Sequence, residues 1–470
     1  MIERLTAEDA LMLWPDAIWP QDIGALILLD GATLYDEHRC LRLEAVRQAV
    51  AARLHHVPQF RQILYVPPPR LGGPLWVDAP AFHLAEHIGV DELPAPGDEA
   101  QLLLAVEKAR RRRLDRSRPL WEMRFFTGLD DGRLALFVRM HHAIADGMAG
   151  VATMATFLDA TPDAVPTPPE QWIPLPMPTE AELRDDERRR RRRRRLDGLS
   201  RLAHPIQTMR PMAAAWPATA ELLAQRPLPP TSLTRLVGPT RALALVRSRL
   251  GPVKQVAHRY GATVNDVFLA VIAGGLRGLL SSRGERVEGA LRIYVPISLH
   301  QRRGAETRGN LISQMVVPLP MGNRDPVSSL WQIAAETALR KAKSRPSLGW
   351  LPVRGVAGWA FLKLVGRQRV NVTSANVPGP QMPLYLAGAR LLEVFPLTQL
   401  IGKVSLGVAA ISYAGQFDML AVADGDAYPD LDVFANSAEN ELHALTTAAG
   451  VSASSVKASP GPPAGPRAGG

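Results

Sequence analysis

The spacing of apolar and polar residues over the first 160 positions follows the periods of both β-strands and α-helices. Leu134, Leu136 and Val138 occupy every second position, which predicts a buried strand over 133–139. The same reasoning predicts further strands over 23–29, 57–66 and 75–77, and helices over 10–14, 43–54, 99–114 and 148–158. This mixture predicts an α/β lobe with mixed connections over residues 1–160.

The pattern lapses at residue 161 and resumes near residue 241. Residues 161–240 are rich in proline, contain the unbroken run Arg188–Arg195 and show little periodicity, so we interpret them as a crossover linker with helical flanks such as 209–223. Beyond it the spacing predicts helices over 251–260, 265–280, 326–343 and 431–449, and strands over 291–297, 314–319, 403–413 and 419–424. We predict a second α/β lobe over 241–450, and a disordered tail over 451–470 because Ser, Ala, Pro and Gly dominate there.

The composition is that of a globular protein with more than one domain. The chain has 470 residues, of which 46% are hydrophobic, enough for a sizeable core. The single cysteine, Cys40, excludes an internal disulfide framework and a cysteine-rich metal site. Glu3, Glu8 and Asp9 lie where a signal peptide needs a basic start and an apolar core, so we expect none. No run reaches the roughly 20 apolar residues that span a bilayer, so any membrane contact is expected at its surface.

The positive charge of the chain is concentrated in one place. The net charge is +10, and removing the eight arginines of Arg188–Arg195 leaves +2. A run of like charge is commonly solvated and disordered, whereas its functional interpretation is attraction to anionic lipid head groups. Nucleic acid fits less well because no aromatic residues are interleaved with the run, and we expect no nucleic-acid partner.

A second segment suggests lipid but allows two interpretations. Residues 349–370 are apolar and carry Trp350, Trp359 and Phe361 among spaced basic residues. This pattern fits a helix lying in the membrane interface, with its basic side chains extended towards water. It fits equally a core helix interrupted by Gly and Pro.

The most informative motif follows the strand predicted over 133–139. It contains His141, His142, Asp146 and Gly147, at a strand end where side chains commonly face a cleft. A metal site would need a third ligand, and no HExxH pattern occurs. A serine hydrolase would need a GxSxG elbow, which is absent, and Cys40 has no thiol-protease context. A histidine that acts alone as a base on a hydroxyl or amine remains, and this suits direct acyl transfer without an acyl-enzyme.

Residues 142–147 resemble the HxxxDG signature of the superfamily that contains chloramphenicol acetyltransferase and peptide-synthetase condensation domains. The doubled histidine resembles its bacterial wax ester synthase/diacylglycerol acyltransferase branch. Six supporting motifs follow in the family's order: PLW at 119–121, ND at 265–266, a PVS-like strand end at 295–298, GN at 309–310, NVPGP at 376–380 and a C-terminal block at 412–415 with Asp424. Together they cover residues 119–424.

The resemblance implies roles for the residues of the histidine motif. His142 would take the proton from the acceptor hydroxyl as it attacks the thioester, a contribution of about 10²- to 10⁴-fold; the other interpretation is a satisfied core histidine. His141, one position earlier, would face the opposite side and serve the structure. Asp146 could orient the imidazole, but the resemblance implies an ion pair with the second lobe, for which Arg292 is the candidate. Gly147 would permit the turn and leave room for the acyl chain.

The resemblance implies further site residues in the second half of the chain. Asn265 is either a helix N-cap or a donor to the thioester oxyanion. Asp266 is expected to interact with the helix dipole in the first turn. Four more positions fall in the family's turns: Asn310, Asn376, Pro378 and Gly379. We expect the NVPGP turn to be rigid and, through the resemblance, to form part of the wall of a substrate tunnel.

The resemblance also implies the fold and the substrates. The expected fold is α/β, with two chloramphenicol acetyltransferase-like lobes, each a mixed sheet with flanking helices, and an active-site tunnel between them. Acyl-CoA would be a co-substrate with diacylglycerol or a long-chain alcohol as acceptor, and no cofactor would be needed. The enzyme would be cytoplasmic and peripheral, on the inner face of the cell membrane or on lipid inclusions. The sequence sets no oligomeric state.

Two departures and two alternatives qualify this interpretation. Family members usually carry Glu where this chain has Asp16, and a Met-His pair where it has Gln21 and Asp22, which bears on acceptor preference. One alternative is a related acyltransferase that acts on a polyketide, peptide or glycolipid hydroxyl. The other is a non-catalytic protein that binds lipid inclusions.

Overall fold

A computed structural model describes residues 2–13, 15–145, 147–169, 171–203, 231–285, 290–298, 312–342 and 370–451. The predictions for 209–223, 349–369 and 452–470 lie outside these ranges.

The helices follow the amphipathic segments closely. They are α1 (Ala7–Met12), α2 (Leu43–Ala51), α3 (Glu99–Arg111), α4 (Gly147–Ala155), α5 (Glu180–Ala203), α6 (Leu250–Arg259), α7 (Val264–Ser282), α8 (Pro326–Ala342) and α9 (Leu431–Ala448). The strands are β1 (Asp22–Leu29), β2 (Gln62–Tyr65), β3 (Leu75–Asp78), β4 (Ile88–Glu92), β5 (Trp121–Thr127), β6 (Leu134–His141), β7 (Arg241–Val246), β8 (Ala290–Ser298), β9 (Ile312–Pro320), β10 (Val372–Pro378), β11 (Tyr385–Leu386), β12 (Ala389–Leu397), β13 (Leu406–Tyr413) and β14 (Gln416–Asp424).

The first large sheet has the strand order β11-β12-β1-β6-β5-β4. Its pairs are antiparallel except β4 with β5. All eight residues of the central strand β6 are buried, because neighbouring strands cover its edges and packed side chains cover both its faces. β6 ends at His141, so the histidine motif lies at the carboxyl end of a central strand, where the chain leaves the sheet.

The second large sheet has the order β7-β14-β13-β10-β8-β9 and is also mixed. β10 is parallel to both β8 and β13, and the other pairs are antiparallel. A separate two-stranded sheet pairs β2 with β3. β11 and β12 lie after residue 241 but belong to the first sheet. The predicted boundary between the lobes at residue 241 therefore does not separate the two sheets.

Each lobe has its own apolar core, and a third core joins them. α7 lies in the core of the second lobe with Phe268, Leu269 and Ile272 fully covered. By length and composition alone α7 could cross a membrane, but it is mostly buried within the protein. The joining core contains Phe137 of the first sheet and Leu420 of the second.

The prediction of little order across 161–240 is wrong for α5, which is a long helix. Its acidic first half pairs with its arginines one turn later: Arg190 Nε lies 3.0 Å from Asp186 Oδ2, and Arg191 Nε lies 2.8 Å from Glu187 Oε1. Such i,i+4 pairs offset repulsion within the arginine run. Six strands were not among the predicted strands: β4, β5, β7, β10, β11 and β12.

Candidate active site

The histidine motif turns sharply at the end of β6. His142 N donates to Gln21 O over 2.8 Å, and Ile144 N donates to His141 O over 2.9 Å. In the register of β1 with β6, Asp22 lies opposite His141. The backbone of His142 is therefore held by the residue that precedes β1, which positions the half-buried imidazole at the rim of the sheet.

The buried imidazole of His141 holds the same turn. Its Nδ1 accepts a hydrogen bond from Ala143 N over 3.0 Å, so the neutral ring carries its proton on Nε2. Nε2 lies 3.5 Å from Asp16 Oδ1. His141 thus connects the turn that carries His142 to the segment before β1.

Asp16 is the anchor for His141. Its Oδ1 accepts from Gln21 N over 2.9 Å, and its Oδ2 accepts from Arg116 Nη2 over 2.6 Å. Burial opposes ionisation, but these bonds and the contact with His141 outweigh it and hold the pKa of Asp16 well below its usual range. Arg113 fixes the adjoining backbone by donating to Asp16 O over 2.5 Å. Asp16 therefore provides a permanent negative charge beside the motif.

A buried arginine supports β6 three residues before His142. Arg139 Nη1 lies 3.2 Å from Asp22 Oδ2, and Arg139 Nη2 lies 2.8 Å from Glu122 Oε2. Burial raises the pKa of Asp22 despite the attraction of Arg139 and Arg110. No role is predicted for Arg139 from the sequence. The available signal was its charge, at a position inside an otherwise apolar strand.

A small cavity of about 220 Å³ opens on the His141 side of the sheet. Asp16, Asp22, Arg113 and Arg116 line it together with Leu114 and Leu120. Asp16 and Asp22, two of the three positions predicted from the resemblance to depart from the family pattern, therefore line the cavity behind the motif.

The second lobe approaches the motif at the start of α4. A Cβ added to Gly147 would lie 3.8 Å from Val377 Cγ2 of β10. Gly147 is not among the glycines with a left-handed φ, so the turn itself does not require glycine here. An added Cβ would make an ordinary van der Waals contact, so the distance shows that the two lobes come close beside His142 but not that glycine is required.

Asn265 and Asn376 come together although 111 residues separate them. Asn376 Nδ2 lies 3.5 Å from Asn265 Oδ1. The interpretation of Asn265 as an N-cap is wrong, because Thr263 caps α7. Asn265 occupies the second position of the helix, and its amide NH2 group has no acceptor among the described residues.

Asp266 completes the cap and binds a second helix. Its Oδ2 accepts from Thr263 N over 2.8 Å and from Thr263 Oγ1 over 2.7 Å. Its Oδ1 accepts from Thr337 Oγ1 of α8 over 2.6 Å. Asp266 is 2% exposed, so it fixes the start of α7, which carries Asn265.

The NVPGP segment forms a closely packed turn at the end of β10. Pro378 ends the strand, and Gly379 N donates to Ser412 O over 2.9 Å. A Cβ on Gly379 would lie 2.7 Å from that same carbonyl oxygen. Only glycine fits here, and this fixes the exit of β10 next to Asn376.

Two expectations depend on residues that lie outside the described ranges. Asp146 and Asn310 lie outside the described ranges, so the Asp146–Arg292 ion pair stays a prediction. Arg292 is half-buried in β8, where its backbone N donates to Asn371 Oδ1 over 3.0 Å. Across the described ranges, no group of three His, Cys, Asp or Glu side chains could hold a metal ion.

Comparison with known sequences finds two successive family domains. A sequence model of the wax ester synthase/diacylglycerol acyltransferase catalytic domain matches residues 5–268, and one of the WS/DGAT C-terminal domain matches residues 308–446. A putative diacylglycerol O-acyltransferase of Mycobacterium bovis is 30% identical over 436 residues, which are 90% of each chain.

Solved structures show the same architecture. The wax ester synthase/diacylglycerol acyltransferase of Marinobacter aquaeolei VT8 superimposes with a TM-score of 0.68 at 24% identity, covering 95% of this chain and 100% of that one. The first condensation domain of the calcium-dependent antibiotic synthetase superimposes with a TM-score of 0.60 at 16% identity, covering 96% of both chains. These similarities confirm the predicted two-lobed fold.

Proposed function

The chain belongs to the wax ester synthase/diacylglycerol acyltransferase family, and from that premise we propose that it transfers a long-chain acyl group from acyl-CoA to the hydroxyl of diacylglycerol or of a long-chain alcohol. The observation that carries this proposal is the match of both family domains across the chain, with His142 where the lobes meet. The similarity to condensation domains concerns the fold alone, so it does not favour a peptide acceptor.

His142 acts as the general base in the proposed reaction. It takes the proton of the acceptor hydroxyl while the oxygen attacks the thioester carbon. The tetrahedral intermediate then collapses, the carbon–sulfur bond breaks, and the imidazolium returns the proton to the departing CoA thiolate. The products are an ester and free CoA, so neither an acyl-enzyme nor a bound cofactor is needed.

Asn265 stabilises the oxyanion in this scheme. The support is its NH2 group, which no described residue engages, at a helix start fixed by Asp266. A donor to a developing oxyanion contributes on the order of 10²- to 10³-fold. Asn376 holds the Asn265 amide from the opposite side, so the second lobe supplies both residues.

His141 and Asp16 position the base in this scheme. The support is the hydrogen bond from Ala143 N to the imidazole of His141 and the contact of that ring with Asp16. The acceptors are lipids, so we place the enzyme on the cytoplasmic face of the cell membrane or on lipid inclusions.

The test is transfer from palmitoyl-CoA. Purified protein should esterify dioleoylglycerol or hexadecanol and release CoA, measured as free thiol and as ester by mass spectrometry. His142→Ala should lower kcat by about 10²- to 10⁴-fold. The exposed His258→Ala serves as the matched control and should retain full activity. Folded wild type that acylates neither acceptor would refute the proposal.

A further inference from the structure

An exposed apolar strip runs along the surface just before α5. Ile173, Leu175 and Met177 are 75%, 74% and 51% exposed. Each precedes a proline, which favours extended backbone. Three large apolar side chains within five residues form a patch of the kind that marks an interaction site.

The backbone of this strip is fixed to the body of the protein. Leu175 N donates to Asp78 Oδ2 over 2.9 Å. Beside it, the guanidinium of Arg61 covers the ring of Trp172, 4.9 Å from its centroid, and the ring of Phe82 packs perpendicular to it. The anchoring residues face inward, whereas the apolar side chains face solvent.

Directly after the strip, the first half of α5 packs against the body of the protein. Leu183 is buried against Leu71, Leu75 and Val77. Asp186 Oδ2 accepts from Arg4 Nε over 2.7 Å. These contacts fix the first half of the helix on the small β2–β3 sheet.

The opposite face of α5 is exposed. Arg189, Arg192 and Arg193 lie at helical spacing with Leu196, which is 56% exposed. In the described part of the chain, no carboxylate pairs with these three arginines. Their charges are therefore available to an anionic partner.

The strip and the arginine face belong to one anchored segment, with the first turns of α5 between them. Both are anchored on β3, the strip through Asp78 and the helix through Val77. Only Pro178 and Thr179 separate Met177 from the first residue of α5. Arg189 lies nine residues after Glu180, so at 1.5 Å per residue the arginine face begins about 14 Å along the helix.

We propose that Ile173, Leu175 and Met177 together with Arg189, Arg192 and Arg193 form a docking surface for an anionic lipid bilayer. The apolar side chains enter the boundary between head groups and acyl chains, while the arginines bind lipid phosphates. A bilayer surface offers both apolar depth and negative charge to one docking face.

Other partners fit this surface less well. Single-stranded nucleic acid needs exposed aromatic rings for stacking, and Trp172 is already covered by Arg61 and Phe82. A symmetric second copy would place the same arginine face against itself. The proposal rests on the proposed function only for its purpose, because membrane docking would bring the site to its lipid acceptor.

The test uses the full chain and vesicles without acyl-CoA. Wild type should sediment with vesicles of phosphatidylcholine containing 30% phosphatidylglycerol, but weakly with phosphatidylcholine alone, and 0.5 M NaCl should reduce binding because salt screens exposed charges. Replacing Arg189, Arg192 and Arg193 by Gln should weaken the apparent affinity by on the order of 10²-fold. Ile173→Ser with Leu175→Ser should weaken it about tenfold or more while preserving the salt dependence.

Matched variants control for net charge and exposed apolar area. Replacing the exposed Arg235, Arg259 and Arg390 by Gln, or Leu104 and Leu339 by Ser, should change binding less than twofold. Equal binding to neutral vesicles, or wild-type binding by the arginine variant, would overturn the proposal. So would binding to DNA without binding to vesicles, or self-association that the arginine variant abolishes in the absence of lipid.

The outcome is independent of the catalytic proposal. His142→Ala should bind vesicles like wild type. Vesicle binding without acyl transfer would refute the proposed function alone, whereas transfer to detergent-dispersed acceptor without vesicle binding would refute the docking surface alone.

Discussion

The paired histidines have different surroundings, and single substitutions distinguish them. His141 is 2% exposed and accepts from Ala143 N, while its other ring nitrogen lies near Asp16. The turn that it holds carries His142. We infer that His141 positions the turn and that His142 is the general base.

His141→Ala should lower both stability and rate. It leaves the amide of Ala143 without its acceptor, at a cost of about 1–3 kcal/mol. A misplaced turn should lower kcat by roughly 10- to 10²-fold. His141→Asn, which keeps an acceptor near the place of Nδ1, should recover most of both losses. Urea unfolding and steady-state kinetics measure the two effects.

The pH profile shows which histidine is the base. The apparent pKa of kcat belongs to the base, so His141→Ala should lower the rate without moving the pH profile. Loss of activity in His141→Asn as complete as that in His142→Ala would contradict this assignment.

At the scale of elements, the start of α7 determines where Asn265 lies. Asp266 accepts bonds from Thr263 on its own helix and from Thr337 on α8. A cap that also binds a neighbouring helix fixes both the direction and the position of α7. The ND motif therefore combines a candidate donor with the residue that positions it.

Asp266→Ala should reduce stability by about 2 kcal/mol, because it removes the reciprocal half of the capping box and the hydrogen bond that Thr337 donates from α8. The rate should also fall as Asn265 shifts. Urea midpoints and kcat measure the two effects.

Asp325→Ala is the matched control for this prediction. Asp325 accepts from Ser328 N over 2.8 Å at the exposed start of α8, and its loss should cost about 1 kcal/mol without changing kcat. Equal rates for the two variants would contradict a positioning role for Asp266.

At the scale of the whole molecule, buried charges lie where the two sheets face each other. Asp418 of β14 lies near Glu393 of β12, whose carboxylate also lies 3.5 Å from Arg133 Nη1. Arg247 Nε lies 3.1 Å from Glu393 Oε2, and its Nη2 lies 2.5 Å from Glu99 Oε2. Burial first, and Glu393 second, raise the pKa of Asp418 to about 8, although Arg247 and backbone hydrogen bonds oppose this.

This arrangement makes stability depend on pH. Between about pH 4 and pH 8 the folded protein keeps a proton on Asp418 that the unfolded chain has released. The stabilisation is complete below about pH 4 and is lost as pH rises through about 8. The side chain of Asp418→Asn stays neutral. Between pH 5 and pH 8.5 the Tm of wild type should therefore fall further than the Tm of the variant, by roughly 3 °C or more.

Thermal unfolding at pH 5, 6.5 and 8.5 tests this prediction, with the exposed Asp163→Asn as control. Parallel curves for wild type and Asp418→Asn would show that Asp418 is ionised throughout this range.

The sequence by itself determined the family and the motif order, since the histidine motif and its supporting turns occupy consecutive stretches that can be compared directly. It also determined most helices and the strand that leads to His141, because one buried face imposes a period on consecutive residues. The structure places α7 from Val264, one residue before the predicted start. Local patterning carries this information without any knowledge of long-range contacts.

Only the tertiary structure decided which distant residues meet. The pairing of β12 with β1, the contact of Asn376 with Asn265 and the ion pair of Arg139 with Asp22 join positions more than 100 residues apart. The charge of the arginine run was visible in the sequence. The contacts that hold its helix, such as the bond from Arg4 to Asp186, were visible only in the structure. Pairing partners, burial and the solvation of charge are properties of the packed chain, so they became visible only when its distant segments were brought together.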